Sequence, residues 1–421
     1  MILKDAYIQN FKGISEWHLE FRSGFNLIKG ENGTGKTSIL EALDVGLGGF
    51  VAGINDVATR HFSKEEIRKE YILSGDGSCS YQYCLPVTVS LSASLGEGQL
   101  ISWTRDRASV QASRSTVRPR DIARCAEAMS NDAQQILPVL CYHGTGRVWA
   151  QKRAKSENIF KKYNRTVGYT DALLDASNNK MLLDWCVRME QVGWQKGTRI
   201  AEYEAVKKAA ADFMGYMEEA DPGTVFYDKQ SEELMARQGD TLLPVSCLSA
   251  GYQSLIWMVL DIACRMSLLN PFLRERITEA PGVVLIDELD MHLHPKWQWR
   301  VIDALKNTFP KIQFIATTHA PILFSSAKDV WLIDIEREPV EYSYSHYGLD
   351  LNTSVTHFQG DYELPSPVKK SVDDFDDAMD QENYPAAKQI LDQLTAATAP
   401  EFPMIAGLRA RYEIETGLKG I

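Results

Sequence analysis

Eight residues constrain this chain more than any other stretch: Gly30-Glu31-Asn32-Gly33-Thr34-Gly35-Lys36-Thr37 matches G-x-x-x-x-G-K-[ST], set between a strand pattern and a helix pattern. GFNLIKG before it alternates as a strand does, and Ile39, Leu40, Leu43 and Leu47 after it recur at helical spacing. Glycines at 30, 33 and 35 let backbone N–H groups close around phosphate oxygens, and the following helix adds the positive end of its dipole. Lys36 is expected to reach the β- and γ-phosphates of a nucleotide, and the Thr37 hydroxyl to hold Mg²⁺. Asn32, Thr34 and Ser38 complete the expected nucleotide-binding set.

Composition narrows the setting. The chain has 421 residues, with globular shares of hydrophobic (44%) and charged (24%) side chains, so two or three domains are expected. The formal charge is −11, and nucleic-acid contact would therefore need a local basic patch. One exists: residues 101–165 carry thirteen Lys and Arg against five Asp and Glu. Without an RNP, zinc-finger or helix-turn-helix pattern, that segment reads equally as a solvated face or as a DNA contact. No apolar run reaches the ~18 residues of a membrane span, and MILKDAYIQNFKG does not resemble a signal peptide, so no membrane partner and a cytoplasmic address are expected. The seven cysteines are scattered without a C-x-x-C pair, which points to neither a disulfide framework nor a zinc site.

The chain reads as an α/β protein with additions. Residues 1–150 hold the phosphate loop and a β-rich subdomain, signalled by alternation in LKDAYIQNF, in WHLEF and at Val87, Val89 and Leu91. Residues 151–243 read as a helical insertion, with NNKMLLDWCVRMEQVGW and YEAVKKAAADFMGYM as its helices. Residues 244–345 alternate helix and strand, as parallel α/β architecture requires. There LIWMVLDIACRMSLL is apolar nearly all round, and VVLID and IQFIAT are continuous apolar runs suited to a sheet covered on both faces. Residues 346–421 read as a linker and a C-terminal helical hairpin of two or three short helices, acidic overall.

The buried strand pattern VVLI delivers Asp287 and Glu288 side by side. Alternation gives them different tasks, Asp287 on the Mg²⁺ shell and Glu288 orienting and polarising the attacking water. Leu248-Ser249-Ala250-Gly251-Tyr252-Gln253 places a hydroxyl and a glycine backbone where the apolar helix starts, a second anion site with no loop ligand of its own. Together these motifs resemble the ABC-type ATPases, whose signature is usually LSGGQ; here Ala250 replaces the first glycine and Tyr252 precedes the glutamine.

The resemblance extends to Asp290 in a D-loop-like ELDMHLHP and to His319 in ATTHAP as the switch histidine, and covers residues 1 to about 335. It implies an ABC-type head, a P-loop NTPase fold with a mixed sheet flanked by helices, with ATP and Mg²⁺ as ligands and ATP hydrolysis as the activity. Lys36, Glu288 and His319 would be catalytic, and Ser249 and Gly251 of one copy would complete the site of another in a head-to-head homodimer or higher homo-oligomer. These roles also account for His292, His294 and His319, which otherwise invite a metal reading without a matching ligand pattern. Tyr142-His143-Gly144-Thr145-Gly146-Arg147 resembles the family's site-sensing loop, with Arg147 a candidate phosphate contact, although a lone G-x-G is ordinarily a turn.

IQNFKGI, IDELDMHLHP and ATTHAP resemble the RecF/SMC/OLD-like branch more than transporter subunits. Residues 151–245 sustain no heptad pattern, which excludes a long coiled coil. An OLD-type nuclease would need a strand-borne glutamate and a D-x-D pair after His319. The chain offers SVDDFDDAMD, where Val372, Phe375 and Met379 at helical spacing make an acidic helix. GGFVAGINDVATRHFSKEEIR and CYHGTGRVW resemble the Septu (PtuA-like) and retron-associated antiphage ATPases. That resemblance implies a regulatory subunit controlling an HNH-type nuclease supplied in trans, with a retron reverse transcriptase and its RNA/DNA as further partners. Docking is expected on the insertion and the tail, which the ATPase core does not need. A RecF-like DNA-repair ATPase is the alternative, ahead of a transporter motor or a non-hydrolysing scaffold.

Overall fold

Half-covered strands alternate, and the N-terminal sheet follows that rule. β1 (Ile2–Phe11) pairs antiparallel with β2 (Ile14–Glu20) on one side and with β6 (Val87–Ser94) on the other; β7 (Leu100–Arg107) and β8 (Thr116–Arg118) complete the order β2-β1-β6-β7-β8. Val87, Val89 and Leu91 of β6 point into the core while the residues between them are half-buried. β4 (Lys69–Leu73) and β5 (Cys79–Tyr83) form a separate antiparallel pair. The computed structural model describes residues 1–73, 79–96, 98, 100–148, 164–174, 179–238, 240–349, 353–354, 366–397 and 403–419, in two compact units, Met1–Leu349 and Asp350–Ile421.

The continuous apolar runs form the second sheet of the first unit. β3 (Phe25–Lys29), β9 (Val139–His143), β13 (Gly282–Ile286), β14 (Ile312–Thr318) and β15 (Val330–Asp334) run parallel, and β16 (Glu341–Tyr344) adds an antiparallel edge, in the order β16-β15-β3-β14-β13-β9. Every residue of β9, β13 and β14 is buried. Fully burying each Val, Leu, Ile or Phe side chain contributes about 1.5–3 kcal/mol, so these strands carry a large share of the unit's hydrophobic stabilisation. The Gln313 amide of β14 is one of the links between the two sheets: it accepts from the Leu3 N–H at 2.7 Å and donates to the Leu3 carbonyl at 2.8 Å.

Helices cover this sheet. α1 (Lys36–Val51) leaves β3 through the phosphate loop and lies against β6 and β7, where the Trp103 indole donates to the Gly46 carbonyl at 2.8 Å. Asp44 on its buried side pairs with Arg60 at 2.7 Å, and Arg60 also pairs with Glu66. Burial pushes the Asp44 carboxyl up to about 7, against the pull of Arg60. α2 (Asp121–Asn131) packs on α1.

The segment read as a helical insertion departs from that reading in two ways. Its helices are present as α3 (Asn179–Lys196) and α4 (Ala201–Glu218), but β10 (Thr224–Asp228), β11 (Glu233–Gln238) and β12 (Thr241–Pro244) follow as a three-stranded antiparallel sheet. Short strands in which half the residues face solvent carry too weak an alternation to stand out beside two strong helices. α4 is also not a detachable arm. Tyr203, Val206, Ala210 and Phe213 are buried, and the helix packs on α5 (Ala250–Leu269) and α7 (Val301–Thr308), with the short α6 (Pro295–Gln298) beside its end through a Trp297–Glu218 bond of 2.9 Å. α5 is buried nearly all round, as its composition requires.

The second unit contains the helices α8 (Ser366–Asp380), α9 (Tyr384–Ala397) and α10 (Pro403–Lys419) among its described residues, where the sequence suggested a hairpin of two or three short helices. Phe375, Met379, Ala387, Leu391, Leu394 and Ile405 form its core. The acidic helix α8 sends Asp376 and Asp380 to Arg411 of α10, at 2.6 and 3.1 Å, while Asp374 and Asp377 are exposed. No described helix is long and apolar enough to cross a membrane.

Candidate nucleotide site

The loop after β3 turns into α1 through backbone conformations that favour glycine. Gly33 and Gly35 have φ of 87° and 99°, in the left-handed region. At Gly30 an added Cβ would stand 2.6 Å from the Thr34 hydroxyl and 2.9 Å from Ile335, so the loop closes there only without a side chain. Thr34 ties the loop internally by donating to the Glu31 carbonyl at 2.9 Å; Asn32 is exposed and Ser38 half-buried in the first turn of α1.

Lys36 is 6% exposed, and its ammonium donates to the carbonyls of Gly30 and, at 2.8 Å, Glu31; His319 Nδ1 lies 3.4 Å away. Burial pushes Lys36 below the ordinary lysine range, and the carboxylates of Glu336, Asp287, Glu288 and Asp290 oppose that shift. A buried cation beside a loop of this shape is arranged to meet an anion.

The acids arrive from β13. Asp287 is buried and accepts from Thr37 Oγ1 at 2.9 Å and from Thr317 Oγ1 at 2.6 Å; its own N–H donates to the His143 carbonyl at 2.9 Å. Glu288 takes a φ of 46°, and its N–H donates to Thr317 Oγ1 at 2.8 Å. Asp290 accepts from the Thr318 hydroxyl and, at 3.3 Å, from the His319 N–H. Thr317 and Thr318 are therefore the positioning residues that sequence reasoning missed. Their signal was two adjacent hydroxyls ending a buried strand, whose partners only β13–β14 pairing identifies.

Ser249 precedes α5 as its N-cap and is exposed, and among the described residues no side-chain hydrogen bond ties it to Lys36, Thr37 or Asp287. Gly251 is packed against the D-loop-like segment: a Cβ there would meet the His292 carbonyl oxygen at 2.2 Å. Tyr252, the departure from the usual signature, stacks on Trp297 with ring centroids 4.7 Å apart. Thus the chain gathers Lys36, Thr37, Asp287, Glu288, Asp290 and His319, and holds Ser249 apart at an exposed helix start.

The histidines show local tasks. His294 accepts from the Lys296 N–H at 3.2 Å and so caps α6, and His292 turns the chain with a φ of 61°. Among the described residues the one group of metal-ligand type is Cys141, His143 and Asp261, with ligand atoms within 4.8 Å of one another. Arg265 Nε donates to Asp261 at 2.8 Å, so that cluster already contains its cation. The side chain of Arg147 lies outside the described residues, as do residues 149–163 of the basic stretch.

A phosphate loop and three carboxylates gathered at the carboxyl ends of β3, β13 and β14 define a nucleotide-binding α/β protein of the P-loop class. Two families match in series: residues 6–213 match "AAA domain", and residues 210–325 match "AAA domain, putative AbiEii toxin, Type IV TA system". The chain is 29% identical to a Septu protein PtuA of Bacillus mycoides over 327 residues, covering 75% of this chain and 38% of that protein. It is 24% identical to a Septu protein PtuA of Bacillus thuringiensis over 408 residues, 91% of this chain and 90% of that protein. The "Retron Vc95 probable ATPase" of Vibrio cholerae is 52% identical over 79 residues, 19% of this chain and 15% of that protein. Among solved structures, an SMC head bound to the C-winged helix domain of ScpA aligns over 82% of this chain and 98% of its own, at 15% identity and a TM-score of 0.48. The chain belongs to the ABC-type ATPases of the RecF/SMC/OLD branch.

Proposed function

We propose that this chain binds ATP with Mg²⁺ and hydrolyses it to ADP and phosphate, as the regulatory subunit of a bacterial antiphage complex in the cytoplasm. The observation that carries the ATPase reading is the convergence of Lys36 and Thr37 with Asp287 and His319, from three separate stretches of sequence. Lys36 takes the negative charge of the β- and γ-phosphates, and the loop N–H groups cradle them. Thr37 and Asp287 fit a hard cation, being a hydroxyl and a carboxylate already in contact. Bound there, Mg²⁺ would neutralise phosphate charge. Glu288 orients the attacking water, and His319, held through its N–H by Asp290, contacts the γ-phosphate.

Ser249 lies exposed at the start of a twenty-residue helix, which favours its use by a second copy. Two chains would then form head-to-head sites, each completed by the other's Ser249 and Gly251. Similarity to Septu PtuA along 91% of the chain supports the antiphage role, and with it an HNH-type nuclease supplied in trans. The second unit is the docking surface we favour, since α4 is committed to packing on α5. Co-purification with the product of the adjacent gene, with and without residues 350–421, tests this. A nuclease retained only by the full chain is expected; a permease, or no partner, would overturn it.

A further inference from the structure

We propose that a cavity between the last turns of α3, the start of α4 and residues 271–274 binds a nucleotide through its phosphate, apart from the phosphate loop. The cavity holds about 580 Å³, inside the range of small-molecule sites, and none of its lining residues belongs to the phosphate loop, the signature or the acidic segment 287–290.

Its charge is anomalous for a chain of net −11. Arg165, Arg188, Lys196, Arg199 and Arg274 line it, and Glu202 is the one acid among the described lining residues. These cations have different tasks. Arg165 is occupied structurally, donating to the carbonyls of Met129 and Asp132 at 2.6 Å and of Gln135 at 2.7 Å. Lys196, Arg199 and Arg274, by contrast, are exposed and make no side-chain hydrogen bond or ion pair among the described residues. Three unmatched cations around one concavity raise the local potential for anions.

Two further features select the ligand. α4 begins in the lining with Ile200 as its N-cap, which cannot cap it with a side chain; the positive dipole end adds to the pull on an anion, and Glu202 and Glu204 in the first turn offset part of it. Val167, Met189, Val192, Leu268 and Pro271 supply an apolar wall beside the cations. A phosphate alone would leave that wall unused, whereas a nucleotide places its charge on the cations and its base on the wall. The nucleotide is either free or the phosphorylated end of a strand.

The test uses the full chain without Mg²⁺ and two probes: deoxyadenosine monophosphate by calorimetry, and a short 5′-phosphorylated, 3′-fluorescein oligonucleotide by anisotropy. Arg199→Glu/Arg274→Glu should weaken binding at least about tenfold, the loss of two charge-assisted contacts, while leaving the thermal midpoint unchanged. Binding of the oligonucleotide alone assigns a strand end; binding of the monophosphate assigns a free nucleotide. If the double variant does not fold, Lys196→Glu is judged by the same loss. No binding of either probe, or equal affinity in wild type and variant, overturns the proposal.

Discussion

Thr37 Oγ1 donates to Asp287 Oδ2 at 2.9 Å, although 250 residues separate them. The contact joins the first turn of α1 to the end of β13, and it preorganises a hydroxyl and a carboxylate around the position expected for Mg²⁺. Thr317 holds the other carboxylate oxygen at 2.6 Å, so Asp287 has little freedom to turn away. Thr37→Ala should therefore lower Mg²⁺-dependent nucleotide affinity by at least about tenfold while leaving Mg²⁺-free binding little changed. Calorimetry with and without Mg²⁺ checks this, and an equal loss in both conditions would contradict it.

Lys36→Ala should abolish nucleotide binding, because it removes the buried cation at the centre of the loop. Glu288→Gln should keep affinity and lower turnover about 10²–10⁴-fold, since the amide cannot act as a base. Binding and steady-state phosphate release, measured on both variants, separate the two roles. Wild-type turnover in Glu288→Gln would remove that residue from the chemistry.

Mixing Lys36→Ala chains with Ser249→Arg chains should restore part of the ATPase activity that each lacks alone. A mixed pair retains one site with an intact phosphate loop and an intact signature. Recovery must depend on total protein concentration; activity unaffected by mixing or dilution would show that each chain's site is self-contained.

Gly251→Ala should destabilise the chain by about 1–3 kcal/mol, the usual consequence of overpacking. Its new methyl would meet the backbone oxygen of His292, which has no rotamer through which to move away. Urea unfolding gives the difference directly, and a wild-type midpoint would mean that the 291–294 turn yields freely.

Asp44 supplies a pH dependence with a definite sign. Its folded pKa, about 7, lies above the ordinary 3.8, so the native state holds a proton that the unfolded chain releases between those values. Stability from this group is therefore full below about pH 3.8 and lost as pH rises through about 7. Asp44→Asn should lose less stability than wild type between pH 4.5 and 7.5, as read by thermal midpoints. Parallel pH profiles would show that Asp44 ionises freely in the folded chain.

Spacing along the chain was enough to read the phosphate loop, the acidic pair ending VVLI and the apolar helix after Gly251, because each is written by local periodicity, and the α/β class followed from the order of such segments. Only the tertiary structure decided which polar groups meet. Thr317 and Thr318 sit in a strand whose pattern says buried without saying against what; parallel pairing with β13 brings their hydroxyls to Asp287 and Asp290. The same limit hid the contact of Gly251 with the His292 carbonyl, the stacking of Tyr252 on Trp297, and the burial of α4 against α5. Hydrophobic pattern specifies that a face leaves water, whereas the partner it finds depends on chain crossings that residues far apart in sequence set together.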